Sequence, residues 1–218
     1  MIPIRDVIPS RTTPGVTVTL IAVNVAVYLF QLMLTDRGQD AFILGFGLVP
    51  AYFSVISVVT AMFVHGGFMH LAGNMLFLWI FGDNVEDALG KLGYLAFYLI
   101  GGVAAGALQF VLGPNSTIPN VGASGAIAAV LGAYIVLYPQ SRVLTAIFIL
   151  FFFDLVEIPA VFFLGIWFLM QLLSGVGSLG VSNAAGGGTA FWAHVGGFVA
   201  GAVVGFVLRA RDRRQWQY

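Results

Sequence analysis

AFWAHVGGFVAGAVVGFVL, residues 190–208, is an uninterrupted apolar run that ends at Arg209 and holds a single ionisable side chain, His194. A helix needs about 20 such residues to cross a bilayer. Hydrocarbon offers an ionisable group no water, so those that persist inside it usually do chemistry or line a path. The rest of the chain repeats the pattern. Of its 218 residues only 8% are charged, 60% are hydrophobic, and the mean hydropathy is +0.99. A soluble domain carries about 25% charged residues. Recurrent long apolar runs predict a polytopic helical membrane protein, all-α, rather than a β-barrel with period-two alternation.

Six spans fit: about Val16 to Leu34, Gly67 to Leu89, Leu92 to Leu112, Ser124 to Pro139, Ile158 to Leu173 and Ala190 to Leu208. Pro159 sits at a tolerated first-turn position of the fifth. Two further apolar stretches, Ala51 to Val64 and Val143 to Phe153, are too short to cross and read as interfacial or re-entrant pieces. This gives three parts: an N-terminal tail over residues 1–15, a six-helix membrane domain over 16–208, and a basic tail over 209–218. The Gly/Ser-rich linker Ser174 to Thr189 reads as mobile, and the long apolar loop Thr35 to Gly66 as a functional element.

Charge sets the orientation. All basic residues except Arg37 (Arg5, Arg11, Lys91, Arg142, Arg209, Arg211, Arg213 and Arg214) fall on one side, together with both termini. By the positive-inside rule that side is the cytoplasm. No cleavable leader is expected before the first span. The formal net charge of +0 and the few basic clusters argue against nucleic acid. With no cysteine there is neither a disulfide framework nor a thiolate metal site.

Depth can be counted from the cytoplasmic boundaries of the spans that run inward. His70 lies 13 residues before Asp83, Ser124 lies 15 before Pro139, and His194 lies 15 before Arg209. All three therefore sit about 20–22 Å above the cytoplasmic face. A common site explains the shared level. Small residues after Ser124 (Gly125, Ala128, Gly132) and around His194 (Ala193, Gly197, Gly201, Gly205) let two helices pack backbone to backbone. That packing brings a nucleophile and a base within hydrogen-bond reach. Ser124 also opens its helix after Pro119-Asn120-Val121-Gly122, so unpaired N–H groups face any anion forming beside it. Read plainly, it is an N-cap serine. His70 and Asn74, four apart, share a helix face as polar glue or as further donors. His65 reads as structural. No carboxylate lies at the depth of His194, so a Ser–His dyad is what the chain can build.

The chain resembles the rhomboid family of intramembrane serine proteases from about Thr60 to Arg209. The resemblance rests on HGGFMHLAGN (65–74), NVEDALG (84–90), GASG (122–125), and AHVGG (193–197) with Gly201. It implies that Ser124 is the nucleophile and His194 the base. Asn74, His70 and the Ser124 backbone N–H, with Gly122 beside them, are implied to stabilise the oxyanion. It implies a minimal six-span prokaryotic form in the cell (inner) membrane, acting on transmembrane protein substrates in lipid, without cofactor or metal. Two departures stand out: the first outer loop has no Trp-Arg pair, and Ala128 stands where some members place a tyrosine against the base. What orients His194 is left open.

The alternative class is an inactive rhomboid-like protein that binds membrane clients; such proteins usually lack the serine or the histidine, and both are here. A transporter would carry ionisable residues through the midplane, which the inner halves of these spans lack. A His65/His70/His194 metal site has neither a His-Glu-x-x-His run nor a carboxylate at its level.

Overall fold

The computed structural model describes residues 2–149, 152–178 and 190–215. In chain order the elements are β1 (Ile2–Asp6), α1 (Gly15–Leu32), α2 (Asp36–Phe46), a 3₁₀ turn (Pro50–Tyr52), α3 (Val55–Thr60), α4 (Phe68–Leu89) and α5 (Lys91–Leu112). There follow α6 (Ser124–Leu137), β2 (Arg142–Ile149), β3 (Phe152–Pro159), α7 (Ala160–Ser178) and α8 (Phe191–Gln215). Among the described residues four helices are long and apolar enough to cross a membrane: α1, α5, α7, and α8 over Phe191–Arg211.

Helix α6 is the axis of the molecule. At 14 residues it is about 21 Å long, and every residue from Ala126 to Tyr134 is buried. Its neighbours α4, α5 and α8 enclose it, so lipid does not set its length. Glycine makes the closest contact possible. A methyl group at Gly201 would run into the Ala129 carbonyl, one at Gly197 into that of Gly125, and one at Gly132 into that of Phe198. Helices α6 and α8 therefore meet backbone to backbone, as the small-residue spacing predicts. Helix α6 stops at Leu137 because Pro139 biases the residue before it away from helical geometry.

The acids at the end of α4 tie down the start of the chain. Helix α1 has no side-chain cap of its own. Instead the Val16 and Thr17 N–H groups and the Thr17 hydroxyl donate to the buried Glu86 carboxylate at 3.0, 2.8 and 2.8 Å. The neighbouring Asp87 accepts from the Arg11 and Thr12 N–H groups at 2.6 and 3.1 Å, and Ser10 donates to Asp83. An N-terminal helix end carries unpaired donors and a positive dipole, so carboxylates brought to it across the fold are favoured.

The all-α expectation needs correcting. Strands β1, β2 and β3 form an antiparallel sheet in that order, with Asp6 opposite Val143 and Arg142 opposite Pro159. Val143 to Phe153, expected as an interfacial or re-entrant piece, is β2 and the start of β3. The stretch is rich in β-branched and aromatic residues. Along it Val143 and Thr145 are fully buried, while Arg142 is exposed and Leu144 partly so, a period of two. The expected N-terminal tail supplies the edge strand. Asp6 accepts a hydrogen bond from the Tyr134 hydroxyl (2.5 Å), which also meets the Ser141 hydroxyl (2.8 Å), so the sheet is pinned to the C-terminal end of α6.

Helix α7, where the fifth span was expected, begins at Ala160, two residues later, because Ile158 and Pro159 close β3. It runs on to Ser178, through the start of the linker expected to be mobile; residues 179–189 of that linker lie outside the described residues. Helix α8 runs through Arg209 to Gln215, where a separate tail was expected. The stretch Ala51 to Val64 makes the short α3, with Tyr52, Val55 and Ile56 facing outward, while Met62 and Val64 are buried beneath.

Candidate active site

The loop before α6 is held by the segment between α1 and α4. Asn120 exchanges backbone hydrogen bonds with Leu48 (2.8 and 2.9 Å), and the Gly122 N–H donates to the Ala61 carbonyl (2.8 Å). Gly122 takes φ +115, a conformation that side-chain-bearing residues rarely adopt. It also leaves room that nothing else could occupy. A methyl there would lie 2.6 Å from His70 Nε2 and 3.3 Å from Asn74 Nδ2. His70 and Asn74 on α4 are thereby brought against the backbone that leads into Ser124.

Gly122 is expected beside the oxyanion donors, and its N–H donates to the Ala61 carbonyl. What it contributes is conformation and space. The N–H of Ser124, at the first position of α6, has no acceptor within its own helix.

Ser124 Oγ lies 2.8 Å from His194 Nε2. The two residues are set by the same contact that packs α6 on α8, and the first turn of α8 is held further by Gln109 of α5, whose Oε1 accepts from the Ala193 N–H (3.2 Å). Asn74 Nδ2 is buried and has no hydrogen-bond partner among the described residues. Buried polar groups are nearly always satisfied, and an orphan donor in a cavity wall is available to a ligand. The cavity is about 350 Å³, and Ser124, His194, His70, Asn74 and Trp167 all line it. The three residues that the depth count placed at one level, His70, Ser124 and His194, thus line one space, with Asn74 beside them.

His65 stands outside this group. It is buried, its backbone N–H and carbonyl are both bound by the Gln31 amide (3.1 and 3.0 Å), and its ring meets His70 edge-on at 5.2 Å. Both of its ring nitrogens are buried without a hydrogen-bond partner among the described residues.

What orients His194 was not read from the sequence. Its Nδ1 lies 2.8 Å from Gln171 Oε1, and the Trp167 ring lies beside it at 5.7 Å and 40°. Both come from α7, one turn apart. The signal was there: Gln171 is an amide inside an apolar span, and such residues are candidates for function by default. The other α7 aromatics divide by face. Phe162 points outward, Phe168 stacks on Phe198 of α8 at 4.5 Å, and Phe163 meets Phe77 of α4 at 6.3 Å.

Fold and site together define a polytopic helical membrane protein with a serine paired to a histidine in a cavity between its helices. Residues 52–211 match the family model of the Rhomboid domain, and the chain belongs to the rhomboid family. It is 30% identical over 209 residues to "Rhomboid protein 1, mitochondrial" of Saccharomyces cerevisiae, covering 91% of this chain and 54% of that protein. It is 33% identical over 177 residues to "Rhomboid-like protease 5" of Toxoplasma gondii, covering 78% of this chain and 18% of that one. It is 33% identical over 135 residues to the human "Presenilin-associated rhomboid-like protein, mitochondrial", covering 61% and 34%. The chain spans about half, or less, of the length of these relatives.

Proposed function

We propose that this chain is an intramembrane serine endopeptidase that cleaves transmembrane protein substrates near the outer membrane face with a Ser124–His194 dyad. The observation that carries the reading is the 2.8 Å approach of Ser124 Oγ to His194 Nε2, in a cavity whose wall holds an unpaired donor, Asn74 Nδ2. In this mechanism Ser124 Oγ attacks the scissile carbonyl carbon while His194 Nε2 takes its proton. Negative charge gathers on the carbonyl oxygen and meets the Asn74 amide, the Ser124 N–H and His70. The C–N bond then breaks, the leaving amine takes the proton from His194, and water, activated by the same base, releases the acyl group.

The orientation we infer has α1, α4, α5, α6, α7 and α8 as six spans and both termini in the cytoplasm. Helix α4 then carries Asp83, Glu86 and Asp87 at its inner end, outside the hydrocarbon, where they bind the N-terminal segment. The sheet lies on the same inner side. The relatives with organellar names leave the kind of membrane open, and a prokaryotic cell membrane is the one proposed.

Detergent-purified protein incubated with a reporter transmembrane substrate tests the reading. We expect a product whose mass places the cut near the outer end of the reporter helix, and none from Ser124→Ala. His194→Ala should be equally inactive, and the double substitution no worse than either single one, because nucleophile and base act as a unit. Substantial cleavage by Ser124→Ala would rule out the serine mechanism.

A further inference from the structure

We infer that Gln171 is the positioning residue of the dyad: its side-chain oxygen accepts the Nδ1–H of His194 and so fixes the imidazole in the one tautomer that can act on Ser124. This rests on the protease reading above and deepens it.

A neutral imidazole carries one N–H, and the hydrogen bond made by one ring nitrogen decides the role of the other. Gln171 Oε1 lies 2.8 Å from Nδ1. An amide oxygen only accepts, so the proton is on Nδ1. Nε2 is then left with its lone pair facing Ser124 Oγ at 2.8 Å, the arrangement in which the serine O–H donates and the base can take its proton. With the tautomer reversed, Nε2–H would donate to the serine and the base would be lost. In serine proteases with a triad, a carboxylate performs this task. Here no carboxylate bonds to His194 among the described residues, and an amide stands at Nδ1 instead. A neutral partner suits a buried site, because it adds no charge to desolvate.

The placement is built rather than incidental. Gln171 follows Trp167 by one turn, so both project from the same face of α7. The indole borders one side of the imidazole at 5.7 Å while the amide holds its edge. Helix α7 is itself locked to α8 between these two residues and one turn beyond them, by Phe168 on Phe198 and by Gly175, where an added methyl would touch the Trp192 ring at 3.1 Å. Ala128 leaves α6 with no ring to offer the base, and α7 supplies what α6 lacks.

The competing role for Gln171 is plain adhesion between α7 and α8. Adhesion and positioning both affect thermal stability, but only positioning sets the tautomer and the chemical step. The test uses the full chain in detergent, ¹⁵N-labelled at histidine, with Q171L (similar size, no acceptor) and Q171E (acceptor kept). In wild type, nitrogen NMR should show a protonated Nδ1 and a bare Nε2 at His194, assigned by the signals lost in His194→Ala. In Q171L the Nε2-protonated form should become prominent, and kcat on the reporter substrate should fall about 10-fold or more with KM nearly unchanged. Q171E should recover most of the rate. Wild-type tautomer and kcat in folded Q171L would overturn the inference, as would Q171E falling as far as Q171L. The nitrogen spectrum needs no turnover. If wild type failed to cleave any substrate, the protease reading would fall while the spectrum still decided what Gln171 does.

Discussion

Gly201→Ala puts a single methyl where α6 and α8 touch. That methyl would fall well inside the van der Waals contact of the Ala129 carbonyl, and neighbouring atoms of the Ala129 backbone lie within 2.7 Å of it. Backbone cannot rotate away as a side chain can, so α8 must move off by on the order of 1 Å, at a cost of about 1–3 kcal/mol for overpacking. His194 lies about two turns up the same face, so the displacement reaches the 2.8 Å contact with Ser124. A misplacement of about 1 Å at reacting groups costs about 10²-fold in rate. Two other glycines calibrate the effect. At Gly205 the methyl would stand 3.0 Å from the Ala133 carbonyl, a crowding that a few tenths of an ångström relieves. At Gly165, on α7, it would meet nothing within 4 Å, and alanine there should be neutral or stabilising by up to about 1 kcal/mol. Tm and the kcat of the folded fraction, measured for all three, should order Gly201 worst, Gly205 intermediate and Gly165 unharmed. Gly201→Ala protein with wild-type Tm and kcat would refute the claim that this backbone contact sets the dyad.

Asn74→Ala should lower kcat about 10²–10³-fold with the fold retained, if its amide meets the oxyanion; lower Tm with normal turnover would assign it to packing instead. Asp6 is held up to about 6, first by burial and then by the nearby Asp83 charge, against the pull of the Tyr134 hydrogen bond. Its raised folded-state value means that its contribution is full below about pH 4 and is lost as pH rises through about 6. Hydrogen-exchange protection of β1, corrected for intrinsic rates, should thus be higher at pH 5 than at pH 7.5, and Asp6→Asn should flatten the dependence. Phe163 and Phe77 join α7 to α4 at 6.3 Å where those helices otherwise barely touch. Phe163→Ala should ease entry from the side and raise the rate on transmembrane substrates, and an unchanged or lower rate in folded protein would place entry at the outer segment around Phe53 to Phe63.

The dyad was legible in the sequence because depth is a one-dimensional quantity. Counting residues from Asp83, Pro139 and Arg209 needed no knowledge of how the helices are arranged. The same count from Pro159 puts Gln171 about 18 Å up, near the level of His194, so the positioning amide was within reach of that reasoning. The sheet was not legible. Val143 to Phe153 is apolar at nearly every position, which hides a period of two, and its partner β1 lies about 140 residues earlier. Glu86 enters the sequence reading only within NVEDALG, because its task, capping α1, depends on two helices meeting in space. The bond from the Gly122 N–H to the Ala61 carbonyl was not legible either, since only the folded segment between α1 and α4 brings Ala61 near.

The most direct test of the central claim is the intact mass of the protein after reaction with a small fluorophosphonate. The phosphorus takes the place of a scissile carbonyl carbon, and fluoride leaves as the serine oxygen bonds to it. Wild type should gain one phosphonyl group, mapped to Ser124. The adduct should be absent from Ser124→Ala and form about 10²-fold or more slowly in His194→Ala, the usual contribution of a general base. Labelling of another residue, or labelling of Ser124 at an undiminished rate in His194→Ala, would contradict the assignment of Ser124 and His194 as nucleophile and base.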